Sequence, residues 1–162
     1  MRNKQKGFSL IELLIVVAII LIIAAIAIPN LIRSKMAANE ASAVASLRTI
    51  NTSQVVYSST YSTAAVFGTL PQLGSNGAQA NCAPGQTPTA AQACLIDFAL
   101  ESANTVPKSG YDLTVAVAGG GYTGHNNPHT PGSSGVRYFY TDQTLVIRQN
   151  PAAAAGAGDP PI

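Results

Sequence analysis

The feature that most constrains this chain is an apolar stretch near the N-terminus, from Gly7 to Arg33. Leu13 to Ile28 is an unbroken apolar run, and no charged residue occurs from Leu13 to Ile32. As a helix, these residues would cover the roughly 30 Å of a bilayer core. A helix that is hydrophobic on all sides belongs in a membrane or at the centre of a large helical bundle. The stretch is therefore predicted to be one or the other.

Three basic residues, Arg2, Lys4 and Lys6, precede this stretch. A basic head before an apolar run is the plan of a secretory signal peptide or a signal anchor, and it predicts a cytoplasmic N-terminus. A cleaved signal peptide has an apolar core of about 7–15 residues followed by a small-residue cleavage site. The core here is longer and has no polar break around its alanines. A plain uncleaved anchor remains open, but it leaves Glu12 unexplained.

Glu12 is a carboxylate near the start of the apolar stretch. A charge in a membrane span costs about 2.5–3.5 kcal/mol at the helix centre and less near an end, so a function and a partner are expected. If the chain is cut after Gly7, Phe8 carries a new α-amino group that is positively charged at neutral pH. This ammonium lies one helical turn before Glu12. It could pair within its own chain or with a neighbour, where it would set the stagger between parallel helices.

The residues from Gly7 to Ile19, G-FSLIELLIVVAI, resemble the processing and assembly motif of type IV prepilins. Pro29 is similar to the helix-interrupting proline of that family, and the resemblance extends to about residue 50. It implies that prepilin peptidase removes residues 1–7 on the cytoplasmic side and that Phe8 is then N-methylated. It also implies that Phe8, Glu12 and Pro29 take part in filament assembly. Type II secretion pseudopilins share the motif, so it does not separate the two families.

The resemblance implies a structural subunit, not an enzyme, that polymerises through its apolar helix into a surface filament for adhesion, twitching motility or DNA uptake. Its implied partners are copies of itself, the membrane, the prepilin peptidase/methyltransferase, and the pilus assembly platform with its ATPases. The precursor would lie in the inner membrane with a cytoplasmic N-terminus, and the assembled form in a pilus at the cell surface. The alternatives are a pseudopilin of a type II secretion system, or a minor pilin that binds DNA or surfaces through residues 119–135.

The charge and the remaining polar motifs favour no other class. Without the leader, six basic and seven acidic residues remain, so nucleic acid is not an expected partner, although the minor-pilin alternative keeps it open. His125 and His129 lie on a Gly/Pro loop with no cysteine or carboxylate close in sequence, and no metal site is predicted. Gly119 to Gly121 lack a phosphate-binding pattern and are predicted to be a turn. No catalytic constellation can be placed, and no cofactor is expected.

The apolar helix is expected to continue past Pro29 to about Tyr61. Pro29 lacks an N–H and leaves the Ala25 carbonyl unpaired, which predicts a kink or a loosened turn. Ser42, Thr49 and Ser53 are expected on the side opposite an apolar stripe. The stripe that recurs at helical spacing and should dock onto a globular head is Met36, Ala43, Leu47, Ile50, Tyr57 and Tyr61.

The rest of the chain predicts an α+β fold, with the long helix packed on a small antiparallel sheet of about three or four strands, and the resemblance implies that this is the pilin fold. Strands are expected at 111–117, 136–140 and 145–148, with a turn at 141–144 and a long loop, GGGYTGHNNPHTPGSSG, between the first two. Thr89 is expected to cap a short helix over AAQACLIDFALESA. Cys82 and Cys94 are expected to form a disulfide outside the cytoplasm, the alternative being two unpaired buried cysteines.

The predicted organisation has five parts. Residues 1–7 are the leader, 8–33 the membrane-spanning or filament-core half of the helix, and 34–61 its amphipathic half. Residues 62–150 form the head with the disulfide-pinned loop. Residues 151–162, PAAAAGAGDPPI, are a low-complexity tail predicted to be mobile.

Overall fold

The computed structural model describes residues 8–61 and 66–162. The predicted leader, with the cleavage residue Gly7, and the first residues of the predicted head lie outside the described residues. The chain divides into two compact units, Met1–Lys35 and Met36–Ile162.

The longest element is helix α1, Leu10–Thr60, which has Pro29 inside it. This confirms the prediction of one helix from about Phe8 to Tyr61. Pro29 removes a single backbone donor, and the helical conformation continues through it. The predicted kink at this residue stays a prediction.

The second half of α1 buries the predicted apolar stripe in the core of the second unit. Its four buried members are Ala43, Leu47, Ile50 and Tyr57, and its two end members, Met36 and Tyr61, are half-buried. The 3.6-residue period therefore places the docking face correctly.

The buried face is wider than the stripe and includes polar side chains. Ser53 was expected to face away, and this is wrong: it is buried, with its Oγ 3.4 Å from the Leu95 carbonyl oxygen, because the segment around Leu95 covers that side of the helix. Gln54 is also buried, and its amide both donates to the Gly68 carbonyl at 2.7 Å and accepts from the Gly68 N–H at 2.9 Å. A side-chain amide thus replaces the missing backbone partners of a buried loop residue.

The second unit contains a four-stranded antiparallel sheet in the order β1-β2-β3-β4. The strands are β1 Tyr111–Ala118, β2 Gly121–Pro128, β3 Tyr138–Asp142 and β4 Arg148–Asn150. Leu113, Tyr122 and Phe139 from the first three strands share one core with the helix residue Leu47. A helix packed on an antiparallel sheet is the predicted α+β fold.

Strand β2 lies where a long loop was predicted. It pairs with all of β1, from Tyr111 opposite Pro128 to Ala118 opposite Gly121. Gly119 and Gly120 make the two-residue turn, both with positive φ, as hairpins of this kind require. Glycine, histidine, asparagine and proline are poor strand formers. Pairing with β1 and β3, together with burial of every second residue, outweighs that local preference.

The last two strands are shifted relative to the prediction. Strand β3 begins at Tyr138, not Val136, because the backbone N–H groups of Val136 and Arg137 donate to the Glu40 carboxylate instead of to a strand. Strand β4 begins at Arg148, after a connection in which Leu145 has φ 64°. The antiparallel hairpin is confirmed, and its turn is longer than expected.

The segment before the sheet holds only short elements, α2 (Leu70–Leu73), α3 (Phe98–Glu101), and 3-10 turns at Gln79–Cys82 and Ser102–Asn104. The helix capped by Thr89 is a wrong prediction. Asp97 caps α3 instead, accepting from the Leu100 N–H at 2.9 Å. The residues before it cannot be helical, because Cys94 has φ 54° and the N–H groups of 93–96 donate to the carbonyls of 72–74.

Cys82 and Cys94 form a disulfide, as predicted, with their Cα atoms 5.6 Å apart. The bond links the 3-10 turn that ends at Cys82 to the extended segment that pairs with α2. It therefore joins the two halves of a region that has little regular structure.

The C-terminal segment, predicted to be a mobile tail, folds back along β4. Gln149 N–H donates to the Pro160 carbonyl at 3.0 Å, and Ile162 N–H donates to the Ile147 carbonyl at 3.1 Å. The Asp159 carboxylate accepts from the side chain of Asn150 at 3.0 Å. Specific backbone and side-chain contacts thus order a sequence whose composition indicates disorder.

A largely buried carboxylate ties α1 to the start of β3. Glu40 Oε1 accepts from the Val136 N–H at 3.0 Å and the Arg137 N–H at 3.2 Å, and Oε2 accepts from Arg137 Nε at 2.7 Å. Burial alone would raise the pKa of Glu40, but these hydrogen bonds and the guanidinium charge outweigh it and hold the pKa below its usual value. The folded protein therefore favours the ionised carboxylate.

Replacing Glu40→Gln should lower the free energy of unfolding by about 1–2 kcal/mol near neutral pH, because a charge-assisted contact to a partly exposed guanidinium is lost. The stability that Glu40 contributes is present above its ordinary pKa of 4.5 and is lost as the pH falls through the lower pKa of the folded state. Chemical denaturation of the detergent-solubilised chain should show the difference between wild type and variant shrinking at acid pH. Asp112→Asn, which removes an exposed contact to His129, is the matched control and should cost less. Equal losses would contradict the role given to Glu40.

The Cys82–Cys94 disulfide should be present in the mature protein and should stabilise it by about 3 kcal/mol, since it closes a short loop in the unfolded chain. Peptide mapping without reductant, after extraction under alkylating conditions, should recover the two cysteines as a linked pair. Alkylated free thiols at both positions would contradict it.

Candidate processing and assembly site

The predicted site lies at the start of α1, where Glu12 closes the first turn of the helix. The Ser9 N–H donates to Glu12 Oε2 at 2.9 Å, and the Ser9 carbonyl accepts from the Leu13 N–H at 3.3 Å. Ser9 is thus the residue before the helix, and Glu12 is three positions later. The carboxylate satisfies one of the backbone donors that a helix N-terminus leaves free, where the helix dipole also favours a negative charge.

Sequence reasoning overlooked Ser9 as the residue that Glu12 contacts. Ser-x-x-Glu before an apolar run is the signature of a capping box, so Ser9 to Glu12 contained the signal. Glu12 therefore has a partner in the uncleaved chain that requires neither processing nor a second copy.

Phe8 stands just before the helix and is 85% exposed. In the uncleaved chain its nitrogen is an amide joined to Gly7 and carries no charge. Cleavage after Gly7 would turn that amide into an ammonium, one residue before the N–H that already contacts Glu12. Phe8 and Glu12 are close in sequence, but they can form an ion pair only after the peptide bond between Gly7 and Phe8 is cut.

The helix surface after Glu12 is apolar and uncovered. The large hydrophobic side chains from Leu10 to Ile32 are all exposed. By length and composition this part of α1 is capable of crossing a membrane, and none of its most apolar window is buried. Such a surface is stable only against lipid or other apolar helices.

The third predicted assembly residue, Pro29, lies on the same helix as Glu12 but seventeen positions later. The structure does not bring the two together. Close to Pro29, the Ser34 hydroxyl donates to the Asn30 carbonyl at 2.9 Å. Pro29 is therefore a separate feature of the apolar segment and not part of the Glu12 site.

The prediction that both histidines lie on a loop is wrong for His125, which is on a strand, and holds for His129, which follows that strand. His125 is on β2, with its ring 5.1 Å from that of Tyr140 in an edge-to-face contact. His129 follows β2, and its Nδ1 lies 2.9 Å from Asp112 Oδ2 on the partner strand. Within the described ranges, 8–61 and 66–162, no three metal-ligating side chains come together. Residues 119–135, the binding loop of the minor-pilin alternative, are largely β2 and its turn.

Comparison with known protein families gives a match at the N-terminus. Residues 2–28 match the family described as the prokaryotic N-terminal methylation motif. This match includes Gly7, Phe8 and Glu12 and ends just before Pro29. The chain therefore carries that motif.

Two curated proteins are similar to parts of the chain. The type IV wide pilus major component PilA4 of Thermus thermophilus is 62% identical over 40 residues, which are 25% of this chain and 30% of that protein. The type IV major pilin protein PilA of Myxococcus xanthus is 49% identical over 51 residues, 32% of this chain and 23% of that protein. The chain thus spans less than a third of either relative in these alignments. No solved structure gives a significant match. These findings confirm the resemblance to type IV pilins.

Proposed function

We propose that this chain is the structural subunit of a type IV pilus and polymerises through its apolar N-terminal helix into a surface filament. The observation that carries the proposal is the uncovered apolar surface from Leu10 to Ile32, which begins with a processing motif and a single carboxylate. The filament would serve adhesion, twitching motility or DNA uptake. The proposal assigns the chain no catalytic role.

In this proposal the exposed apolar surface of α1 lies in two environments, one after the other. Lipid covers it in the precursor, which sits in the inner membrane with the basic residues Arg2, Lys4 and Lys6 in the cytoplasm. In the filament the same surface is covered by the helices of other copies. The amphipathic half of α1 keeps the head folded in both settings, because its buried face packs within the head itself.

Processing would prepare the helix end for assembly. In this proposal the prepilin peptidase/methyltransferase cuts after Gly7 and methylates the nitrogen of Phe8. The assembly platform and its ATPases then move the subunit from the membrane into the growing filament. Glu12, which accepts from the Ser9 N–H before cleavage, gains the Phe8 ammonium of its own chain or of a neighbour as a second partner.

The pairing would act as a register device between subunits. In a filament core, where water is scarce, a Glu12 carboxylate without a cation is costly, and so is an ammonium without a carboxylate. A subunit would therefore enter only where its ammonium meets a carboxylate. A Glu12 that merely reached the membrane interface would contribute nothing to association.

Two alternatives use the same N-terminal motif. A pseudopilin of a type II secretion system would form a short periplasmic filament, but both relatives described above are named as pilus major components or major pilins, which favours a pilus. A minor pilin binding DNA or surfaces through residues 119–135 would use a segment whose residues 121–128 form β2 of the sheet, not a long loop.

Fibre protein should begin at N-methyl-phenylalanine, because the bond after Gly7 precedes the apolar run and is accessible from the cytoplasm. Intact-mass measurement and N-terminal sequencing of sheared fibres test this. Retention of Met1, or a start beyond Ala24, would rule the pilin proposal out.

Glu12→Gln should give stable, cleaved, membrane-resident protein with few or no fibres. The glutamine keeps an oxygen that accepts from the Ser9 N–H, so the start of the helix is preserved while the charge is lost. Glu12→Val removes both, and comparison of the two variants separates capping from charge. Fibre yield is measured by shearing and electron microscopy, with cellular protein as the reference. Normal fibre numbers from Glu12→Gln would disprove the register device, and a loss of fibres confined to Glu12→Val would assign the effect to capping of the helix.

A further inference from the structure

We propose that Asn76, on the second unit, is a modification site that deamidates through the neighbouring Gly77, and that the buried carboxylate of Glu101 keeps this reaction slow in the folded chain. Asn76 and Gly77 form the one Asn-Gly pair of the sequence. Both residues are exposed, in the turn that follows helix α2. The inference concerns the chemistry of the head and does not depend on the function proposed above.

The reaction uses only these two residues and water. The backbone nitrogen of Gly77 attacks the side-chain carbonyl carbon of Asn76, and the new C–N bond closes a succinimide ring. The side-chain nitrogen of Asn76 leaves as ammonia, together with the proton that the Gly77 nitrogen gives up. Water then opens the ring at one of its two carbonyl carbons, which leaves aspartate or isoaspartate at position 76. Glycine favours this reaction because it has no Cβ to hinder the approach of its nitrogen.

The Gly77 nitrogen is held by a buried carboxylate. Glu101 is only 5% exposed, and its Oε1 accepts from the Gly77 N–H at 2.5 Å. Its Oε2 accepts from the Ser75 N–H and from the Ser75 hydroxyl, each at 2.7 Å. Among the residues that the structure describes, Glu101 forms no ion pair with a basic side chain. The donors of this turn therefore stabilise a carboxylate that has been removed from water.

The position of Glu101 is fixed by its own helix and by the glycine that it covers. Glu101 is the last residue of α3, whose first turn is capped by Asp97. A Cβ atom at Gly74 would collide with the Glu101 carboxyl group. Glycine at position 74 thus leaves the room that the carboxylate needs to reach Ser75 and Gly77.

The contact with Glu101 opposes the reaction at the reacting atom itself. The Gly77 nitrogen becomes a nucleophile as it gives up its proton, and it then carries negative charge. An oxygen of the Glu101 carboxylate lies 2.5 Å from that nitrogen, so the developing charge faces a second negative charge in a partly buried site, where salt screens repulsion poorly. The proton also has to leave a charge-assisted hydrogen bond, which is stronger than a neutral one. Glu101 therefore raises the barrier to ring closure.

The conformation of the turn opposes the reaction as well. The Asn76 N–H donates to the Pro71 carbonyl at 2.9 Å, and Asn76 and Gly77 have φ 54° and 80°. The peptide group between them is thus held at one end by Pro71 and at the other by Glu101. Ring closure needs the reacting atoms about 3–3.5 Å apart with their orbitals aligned. It also replaces the N–H bond of Gly77 with a C–N bond, so the contact with Glu101 has to be given up.

Deamidation would change the charge and the order of this turn. Either product places a carboxylate at position 76, which repels the nearby carboxylate of Glu101. Isoaspartate also lengthens the backbone between Ser75 and Gly77, whose N–H groups Glu101 bridges. The Ser75 carbonyl in turn accepts from Asn81 Nδ2 at 2.7 Å, so the disturbance extends to the segment that contains Cys82. A neutral, ordered turn on the surface of the head would become an anionic and less ordered one.

Glu101→Gln tests this control of the rate, because glutamine keeps the size of the side chain and an accepting oxygen but removes the charge. The full chain, solubilised in detergent, is incubated at neutral pH and sampled over time. Trypsin releases residues 49–108 as one peptide, because no lysine or arginine lies between Arg48 and Lys108. Mass spectrometry with fragmentation measures aspartate and isoaspartate at position 76. Deamidation should be slow in the wild type and about tenfold or more faster in Glu101→Gln, since a hydrogen bond to a charged group is lost.

Asn81→Ala is the matched control, because it removes another side-chain contact to the same turn and leaves the bond between Glu101 and Gly77 in place. Its rate should stay close to that of the wild type. The double variant Asn76→Gln, Glu101→Gln should lose the signal, because glutamine closes the corresponding ring far more slowly. Three results would each overturn the inference: equal rates in the wild type and Glu101→Gln, a slower reaction in Glu101→Gln, or an equal gain in Asn81→Ala.

Amide hydrogen exchange provides a second test that does not depend on the covalent reaction. The Gly77 N–H should exchange slowly in the wild type, although the residue is exposed, and rapidly in Glu101→Gln. Amides of β1 and β2 should exchange at the same rate in both proteins, which shows that the variant folds. Rapid exchange of the Gly77 N–H in the wild type would overturn the inference whatever the behaviour of the variants.

Discussion

The rest of this structure depends on one constraint: the first part of α1 is apolar on all sides. From Leu10 to Ile32 the side chains of α1 are exposed, so the segment needs lipid or other helices around it. The match to the N-terminal methylation motif and the single carboxylate at Glu12 fit the proposal that this helix moves from a membrane into a filament.

The second half of the same helix is different, because its apolar residues are buried against other parts of the same chain. Alongside the buried stripe, three polar side chains bind backbone groups at a distance: Glu40 holds the start of β3, Asn51 holds the connection after β3, and Gln54 holds Gly68. Each contact disfavours other positions of the head on the helix, because in those positions a buried polar group would lose its hydrogen-bond partner. Burial of the apolar stripe stabilises the packing of α1 on the head, and these polar contacts determine the position of the head along the helix.

The candidate site shows how far local signals reach. Glu12 was recognisable because a carboxylate in an apolar run is rare, and Gly7 and Phe8 followed from the motif. The contact of Glu12 with the Ser9 N–H is equally local, and the Ser-x-x-Glu spacing contains it. By contrast, Glu101 contacts the N–H groups of Ser75 and Gly77, which lie 26 and 24 positions earlier, and no pattern in either segment indicates that they meet.

The sequence by itself determined the long helix, its apolar and amphipathic halves, the processing motif and the pairing of the two cysteines. These features depend on the 3.6-residue period, on hydropathy and on residues close in sequence. Only the tertiary structure decided that Gly121–Pro128 is a strand, that Asp97 and not Thr89 caps a helix, and that the C-terminal segment lies along β4. In each case a distant partner outweighs local preference: Asn126 of β2 donates to the Ala43 carbonyl, residues 93–96 bond to the α2 segment, and Ile162 bonds to Ile147. A segment of low β-propensity or low complexity becomes ordered when the folded chain places hydrogen-bond donors and acceptors beside it. The positions of those donors and acceptors are determined by the fold and not by the segment itself.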